Sequence, residues 1–127
     1  MKAIVTVGIP ASGKSTFARE WQAEDITNRR IIERDMIRMS LFKLNKYSDY
    51  KFSKSKEELV TKQFYKMLED CSLLYLDVCI SDTNLNEEHR ATLISKLEEL
   101  GYTVVIKTFY IDFFDAVKRD ANRSDKT

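Results

Sequence analysis

The run Gly8-Ile9-Pro10-Ala11-Ser12-Gly13-Lys14-Ser15, followed by Thr16, meets the pattern Gly-x4-Gly-Lys-Ser/Thr at every fixed position. Such a loop dictates its surroundings, because it joins a buried strand to a helix. Both neighbours are legible. Ala3-Ile4-Val5-Thr6-Val7 is a short apolar, β-branched run of the kind a buried parallel strand needs, and Phe17, Ala18, Trp21 and Gln22 follow the loop at helical spacing. The chain has only three glycines and one proline, and Gly8, Pro10 and Gly13 all fall in this loop. Two glycines let successive backbone N–H groups turn inward around phosphates, while the helix behind points its positive end at them. Lys14 then reaches the outer phosphates and the Ser15 hydroxyl sits on Mg²⁺. The loop, with Ala11, Ser12 and Thr16 in it, reads as a nucleoside triphosphate site.

At 127 residues the chain makes one domain, residues 1–127. It is 43% hydrophobic and 32% charged, which excludes disorder, and its net charge of +1 gives no global pull toward nucleic acid. Cys71 and Cys79, with a single His in the chain, offer neither a zinc site nor a disulfide framework, so they read as buried thiols in a reducing compartment. The apolar start, Ala3 to Ile9, is too short to span a membrane and runs into the loop rather than a cleavage site. A soluble cytoplasmic protein is expected.

Further along, Arg30-Ile31-Ile32-Glu33 is a brief strand, with Asp35 as cap of a helix through Met36, Ile37, Met39, Leu41 and Phe42. Ser55-x-x-Glu58 has the form of a capping box and opens a long helix to about Leu73, with Leu59, Val60, Phe64, Met67, Leu68 and Cys71 on one stripe. Leu76 to Ser81 is a third strand. Asn86 caps a helix apolar at Leu93, Ile94, Leu97 and Leu100, and Gly101 ends it in a left-handed turn. Thr103 to Tyr110 is a fourth strand, and Asp112 opens a last helix. Strands separated by helices predict an α/β fold, a four-stranded parallel sheet with helices on both faces.

In such sheets ligands gather at the carboxyl ends of the strands. Here these ends carry the phosphate loop, then Arg34 and Asp35, then Asp82, Thr83 and Asn84, while Lys118, Arg119 and Arg123 lie near the chain end. Phosphoryl transfer asks for a phosphate cradle, a carboxylate to take the acceptor's proton, and arginines over the transferring group. The chain has one of each. Arg119 and Arg123, one helical turn apart, suit a lid.

Four runs in order, the loop at 8 to 16, Arg34-Asp35 with Arg38, Ser81-Asp82-Thr83-Asn84-Leu85-Asn86, and Val117-Lys118-Arg119 with Arg123, resemble the kinase domain of bacteriophage polynucleotide kinase. The likeness implies a P-loop NTPase fold and transfer of the γ-phosphate of ATP, with Mg²⁺, to the 5′-hydroxyl of single-stranded or end-exposed DNA or RNA. It implies that Lys14 and Ser15 hold phosphates and Mg²⁺, with Asp35 or Asp82 behind the metal. Asp35 is then the general base, Arg38 and Thr83 contact the acceptor phosphate beside Asn84, Asp82 organises the junction of acceptor and loop, and Arg119 and Arg123 neutralise the phosphoryl group. No Asp-x-Asp-x-Thr run occurs, so no phosphatase domain is expected. The family continues with another helix where this sequence stops, which suggests a domain of a larger repair enzyme.

Between Lys43 and Lys66 seven lysines stand against three acids, with Tyr47, Tyr50 and Phe52 interleaved, a mixture suited to a single-stranded end. His89 reads as a surface residue. A GTPase switch is excluded: Asn45-Lys46-Tyr47-Ser48-Asp49 is one residue too long for the guanine motif, and Asp82 lacks a glycine three residues later. Two other readings stay open, a small-molecule kinase of the same architecture and a nucleotide-binding module that transfers nothing.

Overall fold

A strand that must be apolar on both faces belongs in the middle of a covered sheet, and β1 (Lys2–Val7) buries Ala3, Ile4, Val5 and Thr6 in succession. The computed structural model describes residues 1–110. Within them β1 is followed by α1 (Lys14–Glu24), β2 (Arg29–Ile32), α2 (Arg34–Leu41), a single 3₁₀ turn (Tyr47–Asp49), α3 (Lys54–Leu73), β3 (Asp77–Ile80), α4 (Glu87–Glu99) and β4 (Thr103–Thr108). All strand pairs are parallel and the order is β2-β3-β1-β4. The expected sheet is therefore present, and the last predicted helix, from Asp112, lies outside the described residues.

Alternation along the strands divides the interior in two. Ile4 and Cys79 face α1, where Ala18 and Trp21 cover them. Ala3, Val5, Val78 and Ile80 face the other way, onto Ile37 of α2, Val60, Phe64 and Leu68 of α3, and Leu93 and Leu97 of α4. The chain leaves β1 toward β2 and leaves β3 in the opposite direction toward β4. The β1/β3 boundary is thus the point where the topology switches and where a crevice opens at the strand ends. Both cysteines are buried free thiols, and burial first, then the charges of Glu33 and Asp82, pushes the Cys79 thiol up to about 12.

Helix ends differ from expectation in two places. Glu33, with extended backbone, takes the cap position of α2, so Asp35 sits in the first turn. Ser53, not Ser55, caps α3, its hydroxyl accepting from the Lys56 N–H at 3.3 Å. The reason is one of magnitude. A cap contributes about 1 kcal/mol, whereas burying Phe64 and Leu68 contributes roughly 1.5–3 kcal/mol each, and the core therefore sets where α3 lies. Leu59, expected on the buried stripe, is exposed. Other ends match: the Asn86 side chain accepts from the His89 N–H at 3.0 Å. Gly101, at φ 96°, closes α4 with Gly101 N–H to Glu98 and Tyr102 N–H to Leu97, both at 3.0 Å.

Candidate active site

The loop between β1 and α1 turns on residues that a side chain would obstruct. Gly13 precedes α1 at φ 102°, and a Cβ on Gly8 would lie 2.8 Å from Ser12 Oγ and 3.0 Å from Phe109 Cβ. Ala11 also adopts a positive φ of 62°. No side chain caps α1, and its first intrahelical bond runs from Phe17 N–H to Gly13 at 3.0 Å. The first-turn amides of such a helix have no intrahelical acceptor and suit an anion. Lys14 folds back over this cradle, its Nζ donating to the Ile9 carbonyl at 2.6 Å and to Ser12 Oγ at 3.3 Å. Ser15 and Thr16 follow on the first turn. This arrangement fits the phosphates of a nucleotide, with the Ser15 hydroxyl available to Mg²⁺.

Across the switch point the loop after β3 is tied to the cradle by its backbone. Gly8 N–H donates to the Thr83 carbonyl at 3.0 Å, and the buried Thr6 hydroxyl lies 3.0 Å from the Ile80 carbonyl and 2.8 Å from that of Asp82. Asn84, at φ 49°, lends its amide to the Thr6 carbonyl at 2.8 Å, while Arg90 holds the Asn84 carbonyl at 2.8 Å. Asn84 thus acts as a strut, though it also lines the adjoining cavity. Asp82 turns toward α2, its Oδ1 accepting from Arg34 N–H at 2.9 Å.

That link places α2 beside the loop after β3. Arg38 is the centre of the arrangement: Nη1 donates to Asp35 Oδ1 at 2.7 Å, while Nε and Nη2 take both oxygens of Glu57 at 3.0 and 2.8 Å. The Tyr50 hydroxyl donates to the same carboxylate at 2.6 Å. Burial works against the Arg38 charge, yet Glu57 and Asp35 hold it firmly protonated. Its hydrogen bonds in turn keep Glu57 below the usual carboxylate range. Burial and the Glu57 bond push the Tyr50 hydroxyl up to about 12.

A cavity of about 490 Å³ opens against this wall, lined on one side by Arg34, Arg38, Glu57 and Thr61 and on the other by Asp82, Thr83, Asn84 and His89. Arg34 donates to Thr61 Oγ1 at 3.0 Å and its guanidinium lies 4.7 Å from the Phe64 ring centre. The structure therefore bonds Thr83 to the phosphate loop at Gly8, joins Asp82 to the start of α2, and pairs Asp35 with Arg38 on that helix. Arg119 and Arg123 lie outside the described residues. His89 is exposed, as expected, but at the rim of this cavity.

Sequence reasoning missed Glu57, Thr61 and Phe64 as site residues, because nothing in their spacing from Arg38 shows that α3 crosses α2. It also missed Glu33. Burial first, then the charges of Asp82 and Asp35, lifts the Glu33 carboxyl to about 7, with the Ser81 hydroxyl and Arg19 opposing. That hydroxyl is itself buried and makes no hydrogen bond of ordinary geometry. Burial likewise raises Asp82 to about 6, against the Arg34 N–H. Among the described residues no group of His, Cys, Asp and Glu forms a metal site by itself.

A family model described as an AAA domain matches residues 4–127. The chain belongs to that family. A curated relative, "Putative bifunctional polynucleotide kinase/RNA ligase" of Autographa californica nuclear polyhedrosis virus, is 29% identical over 97% of this chain, which spans only 18% of the relative. A chain in the solved "Structure of the Pnkp1/Rnl/Hen1 RNA repair complex" is 28% identical with a TM-score of 0.83, over 96% of this chain and 37% of that one. The APS kinase CysC of Mycobacterium tuberculosis, solved with AMPPNP and APS, shares the fold at 18% identity and a TM-score of 0.61, over 95% of this chain and 69% of that one. The AAA domain described here is a nucleotide-binding, kinase-like P-loop domain, similar to the polynucleotide kinase part of longer proteins. Among the described residues no helix is long and apolar enough to cross a membrane.

Proposed function

We propose that this domain transfers the γ-phosphate of ATP to the 5′-hydroxyl of a polynucleotide. The observation that carries the reading is the Asp35–Arg38–Glu57 array, whose Arg38 and Glu57 line one cavity with Asp82 and Thr83 of the loop bonded to Gly8. Asp35 takes the proton of the acceptor hydroxyl as that oxygen attacks phosphorus. Arg38, locked by Glu57 on one side, orients Asp35 on the other and offers its remaining N–H groups to an acceptor phosphate. Lys14 and the α1 amides hold the donor phosphates, and Ser15 would hold Mg²⁺. When bound, Mg²⁺ neutralises charge on the phosphate oxygens. Asp82 fixes the start of α2 and so the distance from base to cradle. Thr83 is assigned to the acceptor, and Arg119 with Arg123, outside the described residues, to neutralising charge on the transferring group. The similarity to polynucleotide kinase sequences supports a nucleic-acid acceptor working in end repair.

The test is transfer from γ-labelled ATP with Mg²⁺ to a 5′-hydroxyl oligonucleotide and, separately, to a nucleoside. Label on the oligonucleotide's 5′ end supports the reading. Label on the nucleoside alone favours a small-molecule kinase, and nucleotide binding without either favours a module that transfers nothing.

A further inference from the structure

The segment between α2 and α3 does more than connect them. Tyr47, Tyr50 and Phe52 form a ring cluster: Phe52 meets Tyr50 at 4.7 Å and 81°, and Tyr47 at 6.5 Å and 78°. Tyr50 is buried, but Phe52 is 62% exposed. A lone exposed aromatic needs no explanation; this one is fixed against the acceptor wall. The Arg38 guanidinium that lines the cavity lies 5.4 Å from the Phe52 ring centre and 5.8 Å from that of Tyr50. The same guanidinium reaches Asp35 at 2.7 Å. One planar group thus spans the distance from the proposed base to the exposed ring, and Phe52 stands within reach of the nucleotide adjoining the reacting end.

The local charge suits a nucleic-acid strand. Lys51 and Lys54 flank Phe52 and are exposed, as are Lys43 and Lys46. Lys56 lies 5.4 Å from the Phe42 ring centre and 5.7 Å from that of Tyr50. Of the three acids in this stretch, Glu57 has its charge met by Arg38 and Tyr50. Cations beside a ring that packs on Arg38, itself a wall of the proposed acceptor cavity, are the elements of a single-strand track.

We propose that Phe52 is the stacking platform for the base of the second nucleotide of the acceptor, with Lys51 and Lys54 on the phosphates beyond it. This rests on the proposed function and adds the feature that selects a strand over a mononucleotide. The test compares 5′-hydroxyl acceptors of one nucleotide, a nucleoside 3′-phosphate, and of several nucleotides, in wild type, Phe52→Ala and Phe52→Trp. Wild type should prefer the longer acceptor. Phe52→Ala should reduce that preference about 5- to 100-fold, in KM rather than kcat, and Phe52→Trp should restore it. A 2-aminopurine at the second position should be quenched by wild type and not by Phe52→Ala. An unchanged preference in Phe52→Ala, or an equal loss on both acceptors, overturns the platform and leaves the proposed function standing. A wild-type chain that transfers to neither acceptor overturns both.

Discussion

Arg38 Nη1 stands 2.7 Å from Asp35 Oδ1, one turn along the same helix. Because Glu57 holds the other edge of the guanidinium in a two-point contact, Arg38 is a fixed strut rather than a solvated cation. Arg38→Lys preserves the charge but loses the fork. It should cost about 10²-fold in kcat/KM for the acceptor, with ATP affinity within a factor of two. Steady-state kinetics with both substrates varied checks this; equal losses for both substrates would argue against an acceptor-side role.

Asp35→Asn removes the proton acceptor and keeps the shape. Transfer should fall by about 10²- to 10⁴-fold, while nucleotide binding stays near wild type. Lys14→Ala should do the reverse and weaken nucleotide binding first. Titration with a fluorescent ATP analogue beside single-turnover rates separates the two, and a loss of affinity in Asp35→Asn as large as in Lys14→Ala would remove Asp35 from its role.

The phosphate loop, four sheet strands and the Asp82-Thr83-Asn84 run were legible in the sequence because each is set by local chemistry: glycines where a Cβ would collide, β-branched runs, a cap at Asn86. What was not legible depends on one helix crossing another. Glu57 was counted as one acid in a lysine-rich stretch, yet across the chain it is the anchor of Arg38. The helix starts at Glu33 and Ser53 were shifted for the same reason, since burial of Ile37, Phe64 and Leu68 outweighs a preferred cap.

Half-buried carboxyls give stability a pH dependence of definite sign. Glu33 titrates near 7 in the folded chain against an ordinary 4.5, and Asp82 near 6 against 3.8. Between these values the folded state binds more protons than the unfolded state, so stability falls as pH rises from about 4 to about 7. Glu33→Gln should flatten that fall and stabilise the protein at pH 8 by about 1–3 kcal/mol. Urea unfolding followed by the single tryptophan, Trp21, which is buried beneath Arg29, reports it. A variant with an unaltered pH profile would show that Glu33 is an ordinary carboxylate.

Gly8→Ala should damage the cradle, because the added carbon meets Ser12 Oγ at 2.8 Å and the Phe109 carbonyl at 3.1 Å. One of these must move, and Ser12 also faces Lys14. Nucleotide affinity should drop at least 10-fold, more than from Gly101→Ala. Gly101→Ala should instead cost about 1 kcal/mol of stability through its positive φ and leave nucleotide affinity unchanged. Affinity lost equally in both variants would mean that Gly8 matters only for folding.

By the proposed reading, the cavity lined by Arg38 receives the 5′ end of a nucleic-acid strand. The most direct measurement incubates the protein with ATP, Mg²⁺ and two oligonucleotides of one sequence, one ending in 5′-hydroxyl and one already carrying a 5′-phosphate, and weighs both by mass spectrometry. The hydroxyl-ended strand should gain a single phosphate at its 5′ terminus, the blocked strand none, and Asp35→Asn should abolish the gain. Recovery of both strands unmodified, with ATP bound and intact, would contradict that reading.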